Sequence, residues 1–229
     1  MVLRTVFSVG RGRLAVAFQE GTVVEVGCPD HSRKPVVTLF DEGNASEAID
    51  LSYSEDASLL GLATEDRRIA IWKVGVEGTS PNGEEVALIG SREVPKKPTR
   101  IRFGEVGQKD VILISDKRGY VYAAPLPNPA AGLAHLLGHT SMTITTMELL
   151  GGGGLLATGD RVEHIRVSEF PRTSIVHSYL LGHTDFVSAL ATVPGHDSLL
   201  LSGGADGMIG LWDVHTGTRY RQWHKAGGL

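Results

Sequence analysis

The sequence predicts an all-β chain assembled from repeated four-stranded antiparallel units, and three observations carry that expectation. The pentapeptide LLGHT occurs twice, at Leu136–Thr140 and Leu180–Thr184, with its histidines 44 residues apart (183 − 139). Each copy precedes strand-sized apolar runs separated by turn residues. Third-strand endings also recur: IAIW closes at Trp72, YVY at Tyr122, IRVS at Ser168 and IGLW at Trp212, spaced by 50, 46 and 44 residues (122 − 72, 168 − 122, 212 − 168). Self-similarity at such a period marks an array of supersecondary units.

The first unit occupies residues 1–40, with RLAVAF and GTVVEV as strands, and its Val26 stands 46 residues before Trp72 (72 − 26). The second, third and fourth units cover 41–90, 91–135 and 136–179. The fifth, 180–224, is the best formed. It reads as a turn, a strand Phe186–Thr192, a turn, a strand Ser198–Ser202, a tight Asp206-Gly207 turn and a strand Met208–Val214. Asp-Gly between two alternating apolar runs is a strong hairpin signal. The run YRQW at Tyr220–Trp223 then starts an outer edge. Five units at this period predict a single β-propeller domain over residues 1–229.

The fifth unit resembles the WD-repeat family in Gly182-His183, Ser202, Asp206 and Trp212-Asp213. The resemblance implies a buried hydrogen-bonded set of His183, Ser202, Asp206 and Trp212, with His139 and Thr158 as counterparts in the fourth unit. A buried polar group must find partners, and such a set satisfies its members inside one blade. This family most often builds seven blades. Five units therefore lead to the expectation of an incomplete seven-bladed ring, a short ring, or one whose open side a partner covers.

Composition agrees with a globular chain. The 229 residues are 41% hydrophobic and 21% charged, and 29 glycines suit many tight turns. The longest apolar runs, such as Val111–Ile114 and Leu199–Leu201, are strand-sized and far too short to cross a bilayer. The N-terminal MVLRTVFSVGRGRL lacks the pattern of a secretory leader. A formal charge of −4 argues against charge-driven nucleic-acid binding as the main task. Cys28 is the single cysteine, which excludes a disulfide framework or a cysteine zinc site and fits a reducing compartment.

Motifs that imitate chemistry have plainer readings. His135 and His139 have the spacing of two zinc ligands on a helix, but in extended chain they stand about 13 Å apart. Gly151–Gly154 lacks the Lys-Ser/Thr of a phosphate loop and precedes the strand LLAT, so it reads as a hairpin turn. No Gly-x-Ser-x-Gly elbow and no glycine-rich strand-to-helix fingerprint appears. Cys28 has no activating base near it in sequence. The densest cationic cluster, Lys96-Lys97-Pro98-Thr99-Arg100, reads as solvated loop, with a phosphate contact through Lys96, Lys97 or Lys117 as the minority reading.

The fourth unit ends in DRVEHIRVS, residues 160–168, which has neither the turn glycine nor the tryptophan of its best-formed sister. Ile165 and Val167 alternate with Arg166, so the strand keeps an apolar face. Four ordered stretches, VILISDKRGYVYAA (111–124), LLGHTSM (136–142), DRVEHIRVS and LGHTDFVSAL (181–190), resemble the WD-repeat non-catalytic subunits of the eukaryotic tRNA (guanine-N(7)-)-methyltransferase.

That resemblance implies a scaffold with no cofactor of its own. A separate catalytic subunit would bind S-adenosylmethionine and methylate a guanosine in the tRNA variable loop, in a heterodimer that meets tRNA mainly through that partner. It implies a partner-binding Arg166, with Glu163, His164 and Asp160 on or near the same rim, and residence in the nucleus. Arginine suits the task because its planar fork can hold a carboxylate by two charge-assisted hydrogen bonds. Val162 departs from the family, which has aspartate there. Two other readings stay open: a generic adaptor, such as a ubiquitin-ligase substrate receptor or chromatin scaffold, and an enzyme using a central channel.

Overall fold

The computed structural model describes residues 6–10, 13–17, 23–27, 36–40, 46–74, 86–140 and 143–224. Cys28 and the Ser-Met that follows the first LLGHT lie outside them. Among the described residues twenty strands form five four-stranded sheets, and nearly all the rest are turns and short connections. The first sheet is β1 (Val6–Gly10), β2 (Arg13–Ala17), β3 (Val23–Gly27) and β4 (Val36–Phe40). The second is β5 (Ala48–Tyr53), β6 (Leu59–Thr64), β7 (Arg68–Val74) and β8 (Val86–Glu93). The third is β9 (Pro98–Glu105), β10 (Asp110–Asp116), β11 (Tyr120–Pro125) and β12 (Ala134–Gly138).

The fourth sheet is β13 (Ile144–Leu150), β14 (Leu155–Asp160), β15 (Ile165–Glu169) and β16 (Val176–Leu180). The fifth is β17 (Val187–Val193), β18 (His196–Gly204), β19 (Met208–Asp213) and β20 (Arg219–His224). Within each sheet the strands follow chain order. Tyr220–Trp223 therefore completes the fifth sheet as its fourth strand.

The chain divides into two compact units, one of Met1–Ile114 with Ala124–Leu133 and one of Ser115–Ala123 with Ala134–Leu229. In the first unit Ile49, Ala63, Ile69, Ile71, Ile101 and Ile112 form a buried cluster. A Cβ on Gly61 would meet Ile101 Cδ1 at 3.1 Å, so β9 rests directly on β6. Buried Asp50 accepts the Ile101 amide N–H at 2.8 Å and the Arg102 guanidinium at 3.2 Å. Burial pushes its carboxyl up, against the pull of Arg102 and Arg100.

In the second unit Leu150, Leu155, Ile165, Val167, Leu180, Val187, Leu200 and Trp212 belong to one core. All six residues of β14 are buried, as expected of a strand covered on both faces. The cover comes from β17. A Cβ on Gly159 would lie 3.0 Å from Val187, and Thr145 Oγ1 donates to the Val187 carbonyl. Gly151, Gly152 and Gly153, with φ of 60°, 62° and 89°, close the β13–β14 turn in a left-handed run that side chains would strain.

The third sheet corrects one alignment. Asp116 Oδ1 accepts from the amides of Arg118 and Tyr120, as Asp160 Oδ1 accepts from Val162 and His164. Tyr122 pairs with His135 as Arg166 pairs with Tyr179. The counterpart of Trp212 and Ser168 is thus Ala124, not Tyr122. An aromatic two residues early imitated the strand end, whereas turn chemistry fixes the frame.

Candidate protein-interaction site

The fifth sheet supplies the reference geometry. His183 Nε2 and Trp212 Nε1 both meet Ser202 Oγ at 2.7 Å, and His183 Nδ1 lies 3.0 Å from Asp206 Oδ2. Asp206 also accepts the amides of Thr184 and Met208. Burial pushes its carboxyl up, but those two amides and His183 outweigh burial and hold it below the usual range. The Trp212 indole needs Gly210, because a Cβ there would lie 2.6 Å from Nε1. Arg219 stacks over the ring at 5.6 Å.

The fourth sheet builds the same histidine anchor by another route. His139 Nε2 meets Thr158 Oγ1 at 2.7 Å, and His139 Nδ1 meets Asp160 Oδ2 at 3.1 Å. Asp160 stands where the fifth sheet has Gly204, two residues before the place of Asp206. A Cβ on Gly204 would strike both His183 and Asp206, so a blade can take its carboxylate from one position or the other. Asp160 is 3% exposed and also holds the Val162 and His164 amides. Burial pushes its carboxyl up, and the hydrogen bonds from His139 and the two amides prevail and lower it. Asp160 thus shapes the turn from within, and it also lines the groove that runs beside Arg166. The departure at Val162 therefore leaves the histidine satisfied and puts an apolar side chain, 38% exposed, on the surface.

Glu163 occupies the place of the turn glycine Gly207, and its φ is +120°. A side chain held there costs about 1–3 kcal/mol of strain. Part of that is offset because glycine loosens the unfolded chain. Glu163→Gly is expected to stabilise the protein by roughly 1 kcal/mol, measured as a higher denaturant midpoint. A lower midpoint would show that the glutamate side chain supports the turn.

The deepest difference between the two sheets lies on the third strand. The second and fifth sheets read small-x-Trp, as Ala70-x-Trp72 and Gly210-x-Trp212, whereas the fourth reads Arg166-x-Ser168. Successive odd positions share one face of a strand, so the large group has moved two residues along it. Arg166 Nε donates to Ser168 Oγ at 2.9 Å and Nη2 to the Thr173 carbonyl at 2.8 Å. Thr173 is fixed in turn by donating to the Leu136 carbonyl. Ser168 is fully buried and Arg166 half-buried.

The arginine lies along a groove of about 500 Å³ whose floor includes His139 and Asp160 and whose border includes Val162, His164, Tyr179 and Leu181. Tyr179 and Leu181 are 50% and 62% exposed. The groove thus combines a clamped guanidinium with an apolar rim. It is suited to a carboxylate flanked by an apolar side chain.

Of the residues singled out from sequence, Glu163, His164 and Arg166 gather on this turn and strand, and His164 Nδ1 lies 3.6 Å from Asp160 Oδ2. Lys96 and Lys97 belong to the first unit and Lys117 to the second. Lys97 is ion-paired with Glu65, and the Lys117 carbonyl accepts from Thr143 Oγ1. His135 packs against Tyr120 and Tyr122 at 5.2 and 5.7 Å, whereas His139 is held by Thr158 and Asp160. Tyr179 and Leu181 were missed. The signal available was a pair of large apolar residues flanking the second LLGHT start, of which Tyr179 is opposite Arg166 in register.

Residues 127–225 match the family model described as the tRNA methyltransferase TRM82 WD40 domain. Over that segment the chain is similar to the WD40 domain of TRM82. It is 35% identical over 176 residues to the tRNA (guanine-N(7)-)-methyltransferase non-catalytic subunit TRM82 of Kluyveromyces lactis, covering 73% of this chain and 38% of that protein. Identity to the wdr4 non-catalytic subunit of Xenopus laevis is 31% over 177 residues, 77% of this chain and 42% of that protein. The human WDR4 subunit is 28% identical over 187 residues, 82% of this chain and 42% of that protein. The chain thus spans about two fifths of the length of these relatives.

Among solved structures, Sqt1 of Chaetomium thermophilum bound to the N-terminus of ribosomal protein L10 aligns with a TM-score of 0.72 at 20% identity, covering 93% of this chain and 59% of that one. A chain of the mitotic checkpoint complex aligns with 0.68 at 20% identity, covering 95% and 64%. These likenesses bear on the fold alone, a WD40 β-propeller. The DRVEHIRVS strand and its groove lie wholly inside the segment that matches the TRM82 family model.

Proposed function

We propose that this chain is a non-catalytic scaffold that binds the catalytic subunit of a tRNA guanine-N(7) methyltransferase as a heterodimer. It would act in the nucleus and support formation of 7-methylguanosine in the tRNA variable loop. S-adenosylmethionine belongs to the catalytic partner in this reading, and tRNA is met mainly through it. The contribution of the scaffold is to hold the partner in its competent conformation. The observation that carries the reading is the arginine-lined groove of the fourth sheet, within the segment that matches the TRM82 family model. Arg166 is anchored by Ser168 and Thr173, so little side-chain freedom is lost when a carboxylate docks. The exposed Val162, Tyr179 and Leu181 offer the apolar surface that such a contact buries.

Arg166→Glu reverses the charge and is expected to weaken capture of the catalytic subunit by roughly 100-fold, in the range for breaking a buried charged contact. The check is co-purification of the two subunits, with far-ultraviolet circular dichroism showing an unchanged β signature. Undiminished capture by a folded variant would remove Arg166 from the interface.

A further inference from the structure

A second cluster lies away from the groove. His177, on β16, and His215, just after β19, face each other with Nε2 and Nδ1 3.1 Å apart. Both are exposed, and their rings are nearly perpendicular, at 78° with centroids 5.2 Å apart. The residues are 38 positions apart in sequence and come from different sheets of the same compact unit.

The backbones beneath them are fixed. Ser178 Oγ donates to the Val214 carbonyl at 2.6 Å, joining the residue after one histidine to the residue before the other. Asp213 Oδ1 accepts the amides of His215 and Thr216, and Gly217, at φ +70°, closes the same turn. A Cβ at Gly217 would sit 3.2 Å from the Tyr179 carbonyl, so the turn packs directly on β16. The two imidazoles are thus carried at a set separation by elements that neither ring has to order.

We propose that His177 and His215 form a two-histidine chelating site for a late first-row divalent cation such as Zn²⁺ or Ni²⁺. Imidazole nitrogens bind these ions at about 2.0–2.1 Å, and two such ligands at 90–109° stand about 2.9–3.4 Å apart. The observed 3.1 Å falls inside that window. Without metal one ring donates its proton to the other, so one N–H···N contact stands where two metal bonds would form. Binding moves that single proton to the other nitrogen of the same ring, so both imidazoles coordinate as neutral ligands, and it needs only ring rotations at exposed side chains. Among the described residues no group of three or more His, Cys, Asp or Glu gathers as a metal site, so water completes the coordination. Asp213 stays outside it, its carboxylate being taken up by Tyr220 Oη and the turn amides. A bound ion would clip β16 to the β19–β20 turn and brace the strand that carries Tyr179.

The test is calorimetric titration of the untagged full chain with ZnCl₂ and, separately, NiCl₂. One ion per chain is expected. His177→Ala and His215→Ala should each weaken it at least tenfold, while His196→Ala, an exposed histidine elsewhere on the fifth sheet, leaves it unchanged. Histidine ring resonances of residues 177 and 215 should shift together on binding. Absence of saturable binding in the wild-type chain, or binding undiminished from wild type in either single variant, overturns the assignment.

Discussion

Trp212→Ala lowers the stability of the second unit by about 3–5 kcal/mol, the cost of truncating a fully buried tryptophan. For a chain of this size that is a fall in melting temperature of roughly 10 °C. Three losses combine. The indole is 1% exposed and belongs to the core that includes Val167, Leu200 and Val214. Its Nε1 donates to Ser202, which also meets His183, so removal leaves the anchor with one donor fewer. Arg219 loses the ring beneath it. Trp212→Phe keeps most of the apolar volume and gives up the hydrogen bond, so it should cost about half as much. Thermal unfolding of the two variants checks the order. Equal losses would mean that the hydrogen bond, not the packing, dominates.

Ser168→Trp is the second large effect, because its sign depends on residue 166. In the fifth sheet the indole approaches Gly210 so closely that a Cβ would lie 2.6 Å from Nε1. In the fourth sheet Arg166 stands there, and Ser168 is 0% exposed. Tryptophan at 168 therefore collides with the arginine, with an expected overpacking cost of about 1–3 kcal/mol. Adding Arg166→Gly opens the space. The indole then has the groove to fill and Thr158 Oγ1 in the position of Ser202 to receive its N–H. The double variant should recover wild-type stability or exceed it. A double-mutant cycle should give a coupling of about 2 kcal/mol, within the range for residues in direct contact. Additive effects would show that the two positions do not compete for one volume.

Much of the fold was legible because it rests on local chemistry. The Asp206-Gly207 hairpin, the repeated LLGHT and the alternation of Ile165 and Val167 each specify a turn or a face within a few residues. The third unit was misframed at Tyr122 because an aromatic at a strand end looks alike whichever of two same-face positions it holds. The capping of the Arg118 and Tyr120 amides by Asp116 decides between them, and that contact has no distinct sequence mark. The fourth unit shows the same limit. Its charge, its missing tryptophan and the alignment of Arg166 with Gly210 and of Ser168 with Trp212 were visible, but not that Ser168 and the Thr173 carbonyl hold the guanidinium. Nor did the sequence reveal that Asp160 replaces the carboxylate lost at Val162. The histidine pair was invisible for a different reason, since it joins two sheets through residues far apart in the chain.

The proposed interface is the groove beside Arg166, on the strand where the fifth sheet has its tryptophan. It is tested most directly by co-purifying the catalytic methyltransferase subunit with the Arg166→Gly, Ser168→Trp double variant. The double variant should be folded at least as stably as the wild type and should fail to retain the subunit, because the indole occupies the groove and the guanidinium is gone. Retention at the wild-type level by that folded variant would place the interface elsewhere on the chain.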